Sequence, residues 1–171
     1  MSPPAARPIR TLGDPVLRTP CDQVMSYDDN LRRLVDDMVV SMHAAEGVGL
    51  AANQIGVGLR VFVYDCPDDE GVRHAGTIVN PRLVVTDGDD RVGSEGCLSV
   101  PGLAFDTPRK AHAVVEGYDV TGAPVTVEAF GYLARCMQHE CDHLDGRVYI
   151  DCLVGDERKA ALRAVRSAGL L

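Results

Sequence analysis

The chain has 171 residues, of which 46% are hydrophobic and 25% charged, and its formal net charge is −8. That length suits one domain, 1–171, able to bury its own core without staples. The acidic balance argues against a sequence-specific nucleic-acid binder, and the absence of a secretory apolar stretch or an apolar run of about 18 residues points to a cytoplasmic protein outside the membrane.

In chain order, residues 28–42 carry Leu31, Leu34, Val35, Met38 and Met42 at helical spacing, with Asp28 or Asp29 as cap and Gly47 beyond the end. The stretch GVGLAANQIG follows, too rich in small residues for a core helix and too apolar for a linker. Residues 59–64, 77–79, 83–86, 111–118 and 124–127 read as short, mostly antiparallel strands. DVTGAPV supplies a hairpin turn at Gly122, while CPDDEG and TDGDDRVG read as polar loops. Residues 131–144 turn helical, with Leu133, Met137, Cys141 and Leu144 apolar along one side and Gly146 as terminator. A short strand at 148–153 and a last helix from Asp156 to about Ser167 complete the reading. The expected fold class is α+β: mostly antiparallel strands around a central metal-binding helix, with an N-terminal and a C-terminal helix.

The chemistry concentrates in QHECDHLDG, residues 138–146. His139 and His143 are four apart, so a helix stacks both imidazoles on one face, close enough for one ion. Glu140 lies beside that face, where it can take a proton from a water held by the metal. A catalytic site of this kind usually has three protein ligands and one open position. A third His six residues after the second is excluded, because that position is Tyr149. Downstream acids are few: Asp151, Asp156 and Glu157 after Asp145. Upstream, the candidate is Cys97 in SEGCLSVPG, although a thiol judged alone is more often an inert buried side chain. The other cysteines, Cys21, Cys66, Cys136, Cys141 and Cys152, lack the spacing of a disulfide scaffold and read as free thiols.

Three segments, GVGLAANQ (47–54), EGCLS (95–99) and QHECDHLDG (138–146), occur in an order and at intervals similar to those of compact bacterial peptide deformylases, and the chain resembles that family over essentially its whole length. The resemblance implies Cys97, His139 and His143 as metal ligands, water or hydroxide in the fourth position, and Glu140 as the acid/base. It implies that the Gln54 side-chain amide and the Leu98 backbone N–H bind the formyl oxygen, donors suited to charge developing on a tetrahedral intermediate. It also implies that the backbone at Val48 and Gly49 pairs with an extended peptide, Gly49 leaving room for that approach. The implied substrate is the N-terminal formylmethionine of nascent chains, with formate released. The implied ion is one Fe2+ per chain, although the ligands would accept Zn2+, Ni2+ or Co2+. Cys136 and His139, with Phe105 or Leu133, are the expected methionine-pocket residues. LAFDTPRKA departs from the usual family forms, but Arg109 matches an arginine often found there.

Two rivals remain at this point: a metallopeptidase using the same helix on internal amides, and a non-catalytic metal-bound relative. His43, His74 and His112 lie outside the motifs and read as surface or satisfied side chains. Lys159, Arg163 and Arg166 form a basic stripe on the last helix; it reads first as a solvated face, and as a ribosome-docking surface if the resemblance extends that far.

Overall fold

A computed structural model describes residues 2–171. The order is helix α1 (Asp29–Ala44), strands β1 (Gly49–Ala51), β2 (Val61–Pro67), β3 (Arg73–Cys97), β4 (Val100–Tyr118) and β5 (Pro124–Phe130), then helices α2 (Gly131–Leu144) and α3 (Gly155–Ser167). Single 3-10 turns occupy Pro15–Arg18, Ala52–Ile55 and Tyr149–Cys152. The five strands form one antiparallel sheet in the order β1-β2-β3-β4-β5, which makes the fold α+β.

β2 shows why the helices sit where they do. Its alternate side chains face opposite ways: Phe62 and Tyr64 join Leu133, Met137 and Leu144 of α2, while Val61 and Val63 join Leu34, Val35 and Met38 of α1. The sheet is therefore covered on one face by α2 and on the other by α1. A third cluster packs Ala161 and Val165 of α3 against Tyr149, Ile150 and Val100. Among the described residues, no helix is long and apolar enough to cross a membrane.

Several element boundaries follow from local chemistry. The Asp28 side chain caps α1 by accepting from Leu31 N, and Gly146 ends α2 in the left-handed region at φ 73°. Gly122, at φ 87°, makes the expected turn between β4 and β5. Three expectations fail. TDGDDRVG is no loop but lies inside β3, and the stretches 77–79 and 83–86 belong to the same 25-residue strand. This ribbon pairs with β4 through four register shifts, one of them between Asp87 and Asp90. Much of it stands in solvent, so no apolar alternation marks it in the sequence. Residues 148–153 are not a strand: the Asp151 carboxylate accepts from Val148 N at 2.9 Å and closes a 3-10 turn. Nor does Asp156 cap α3; Val154 holds that position, and Asp156 lies in the first turn.

Candidate metal centre

Cys97 ends β3 where the chain reverses into β4, and it pairs with Val100 across that turn. His139 and His143 come from successive turns of α2, their ring centroids 4.8 Å apart. The Cys97 Sγ lies 3.3 Å from His143 Nε2, which lies 3.1 Å from His139 Nε2. All three ligand atoms fall within 4.8 Å of one another. Ligands at the usual metal–nitrogen and metal–sulfur bond lengths of a tetrahedral ion stand roughly 3.3–3.6 Å apart. Two of the three pairs here, at 3.3 and 3.1 Å, are close to that spacing, and a sulfur with two imidazoles is a donor set that suits a divalent transition metal.

Glu95 organises the surroundings. It sits two residues before Cys97 on β3, where the pairing with β4 shifts register between Gly96 and Cys97. Its carboxylate accepts from Arg109 at 3.0 and 2.7 Å and from Arg135 at 2.9 Å, and it meets His139 Nδ1 at 2.8 Å. Burial alone would raise its pKa, but the His139 and Arg109 hydrogen bonds outweigh that and hold it well below the usual carboxylate range. Burial likewise opposes a proton on His139, yet Cys97 and Glu95 push its pKa well up. The field at the ring therefore favours positive charge, which a cation bound there also satisfies. His143 lacks such support, and burial followed by the charge of His139 pushes its pKa well down.

Glu140 is buried beside the ligands, and burial pushes its pKa up to about 7. Its Oε2 has no hydrogen-bond partner. A Cβ added at Gly49 would stand 2.4 Å from Glu140 Oε1, so glycine here makes room for the carboxylate. Gly47 plays a similar part toward Leu98, whose Cδ1 lies 2.7 Å from the equivalent position. These two close approaches pack the first motif against the other two.

Gln54 is oriented by its neighbours. Ala51 N donates to its Oε1 at 3.0 Å, which turns its Nε2 toward Ser99 Oγ at 3.1 Å and the Cys97 sulfur at 3.6 Å. The amide thus presents a donor to the centre. β1 is the terminal strand of the sheet.

A cavity of about 590 Å³ opens from this centre, with Gln54, Cys97, His139 and Glu140 at one end and Tyr132, Arg135 and Cys136 along a wall. Phe105 and Leu133 are not among its lining residues: Phe105 stacks on Tyr149, and Leu133 is in the core between α2 and the sheet. Tyr132, Arg135 and Glu95 were missed. No strand pattern marks 95–97 in the sequence, so nothing there ties Glu95 to Cys97. Cys141 is core, its thiol pushed up to about 12 chiefly by burial. His43, His74 and His112 are paired with surface carboxylates, and Arg109 bridges Glu95 and Asp142.

Residues 6–159 match the family model described as Polypeptide deformylase. Peptide deformylase 2 of Streptomyces avermitilis is 57% identical over 95% of this chain and 87% of its own length. A peptide deformylase of Acidothermus cellulolyticus is 51% identical over 96% and 88%. Among solved structures, peptide deformylase from Thermus thermophilus superposes with a TM-score of 0.86 at 41% identity, covering 95% of this chain and 94% of that one. The peptide deformylase of Ehrlichia chaffeensis in complex with actinonin gives 0.87 at 37% identity, covering 96% and 98%.

Proposed function

The chain belongs to the polypeptide deformylase family, and from that premise we propose how its residues perform the family's reaction. It is a metal-dependent amide hydrolase that removes formyl from the N-terminal formylmethionine of newly made polypeptides and releases formate. The alternative, a metallopeptidase, finds no support among these relatives.

Cys97, His139 and His143 hold the ion, and Glu140 is the acid/base. The observation that carries this assignment is the convergence of those three ligand atoms within 4.8 Å, beside a buried carboxyl group whose Oε2 has no partner. Bound there, a divalent cation polarises a carbonyl oxygen and makes a water acidic near neutral pH. Glu140 takes the proton from the attacking water and hands it to the departing nitrogen. Gln54 Nε2 and the Leu98 N–H donate to the formyl oxygen as it gains charge. The backbone at Val48 and Gly49, where the terminal strand β1 begins, takes the extended peptide as an added strand. The methionine side chain lies along Tyr132, Arg135 and Cys136.

The resident ion is Fe2+, with Zn2+, Ni2+ and Co2+ accepted by the same donors. The catalytic domain spans 1–171 and works in the cytoplasm. Lys159, Arg163 and Arg166 are exposed on α3, away from buried Ala161 and Val165, and this stripe docks on ribosomal RNA. Reversing all three charges should abolish co-sedimentation with ribosomes at low salt; unchanged co-sedimentation removes the docking role.

The central test pairs a formylated Met-Ala-Ser peptide with its unformylated twin, using anaerobically purified protein whose metal content has been measured. Formate from the first alone is expected. Cleavage of an internal amide, or no formate at full metal loading, overturns the reading.

A further inference from the structure

His139 and His143 turn their Nε2 atoms toward each other, but their second ring nitrogens are treated unequally. His139 Nδ1 meets Glu95 at 2.8 Å. His143 Nδ1 is buried without a hydrogen-bond partner, and so is Asn53 Oδ1. The same Asn53 carboxamide donates from Nδ2 to the His143 backbone oxygen at 2.6 Å, and both side chains are fully buried. Among the described residues the one other buried side-chain polar atom without a partner is Glu140 Oε2, which the reaction itself uses.

An imidazole that ligates a cation through Nε2 carries its proton on Nδ1 and is there a donor; a carboxamide oxygen is an acceptor. Buried donors and acceptors are seldom left unpaired, and ligand histidines nearly always donate their second N–H to a protein group or water. These two complementary atoms belong to side chains already joined by a hydrogen bond.

We propose that Asn53 is the positioning residue for His143: its Oδ1 accepts the Nδ1–H, directly or across one bridging water, and fixes the ring's tautomer and orientation. The proposal rests on Cys97, His139 and His143 as the ligand set. It makes the turn Ala52–Ile55 a two-sided element, in which Gln54 presents its amide to the centre and Asn53 steadies one of the ligands.

Zinc, being diamagnetic, is the probe. In 15N-labelled protein loaded with one equivalent of Zn2+, His139 and His143 should each give an Nδ1–H resonance that exchanges slowly with solvent. Asn53→Leu should abolish the protection of His143, leave that of His139, and weaken zinc binding roughly 10–100-fold in chelator competition. Asn53→Asp loses the donor to the His143 carbonyl but keeps an acceptor oxygen, so it should retain the protected His143 resonance, which a mere structural tether would not.

Rapid exchange at His143 in the wild-type protein overturns the proposal, as does unchanged affinity and protection in Asn53→Leu. Loss of the resonance in Asn53→Asp does the same. Should Asn53→Leu fail to fold, the wild-type and Asn53→Asp measurements still decide. Zinc binding that leaves both rings unshifted brings down the ligand set and this proposal with it. Neither readout involves turnover, so failure of the deformylase reading registers separately in the formate assay.

Discussion

Two clusters of opposite charge in this molecule use similar side chains to different ends. Around Glu95, two arginines and a histidine converge on a carboxylate whose side chain is 4% exposed. On the β3–β4 ribbon, His112 lies between Asp87 and Glu128, whose side chains are 64% and 60% exposed. The inner cluster depends on its central carboxylate, because removing Glu95 takes a buried partner from all three cations at once. The outer one is screened, and each partner can fall back on solvent. Burial, more than the number of ion pairs, decides which cluster the structure depends on.

The sharpest contrast within the buried region is between chemistry and scaffolding. Glu140→Ala should lower turnover by about 10²–10⁴-fold while leaving metal content unchanged, as read by formate release beside metal analysis. Full turnover in this variant would remove Glu140 from its role. Glu95→Ala should break the comparison outright. With Glu95 gone, Arg109 keeps only Asp142 and Arg135 only the Thr107 and Arg91 carbonyls, which should cost about 3–5 kcal/mol in chemical denaturation, and unsupported His139 should weaken metal binding about 10–100-fold.

Arg135→Met tests whether the hub needs both arginines. Glu95 keeps Arg109 and His139, but the Thr107 and Arg91 carbonyls lose their donor, so a smaller loss of about 1–3 kcal/mol is expected. A loss equal to that of Glu95→Ala would mean that the cluster acts as one unit.

The weakest effect belongs to His112→Gln. Asp87 and then Glu128, by hydrogen bonding, raise the His112 pKa above its ordinary 6.5. Its protonated form is therefore favoured by folding, and the stabilisation is complete below the unfolded value and lost as pH rises through the folded one. The difference in Tm between wild type and His112→Gln should be largest on the acid side of 6.5 and vanish above the folded pKa. An equal difference at all pH values would show that the stack of His112 on Phe130, rather than charge, matters there.

What could be read from the sequence divides along the same line. His139, Glu140 and His143 were legible because a helix converts a four-residue spacing into a shared face. The ends of α1 and α2 were legible because Asp28 and Gly146 act on backbone within a few residues of themselves. Glu95 with Arg109 and Arg135 was not, since those pairs are 14 and 40 residues apart and meet only through the strand pairing and α2. The long β3–β4 ribbon escaped for a related reason. Its polar stretch is held by partners across the ladder and carries no periodic apolar signal of its own. The pocket wall was misassigned at Phe105 and Leu133 because composition does not reveal which apolar side chains the core claims first.

Gly49 has a practical consequence for anyone engineering a hardier variant. Replacing glycine with alanine is a common route to a stiffer unfolded chain and a gain of about 0.4–1 kcal/mol. At Gly49 that route is closed, since the added methyl would occupy the seat of the Glu140 carboxylate. Gly58, with nothing within 4 Å of its missing methyl and no left-handed backbone, is where such an exchange belongs.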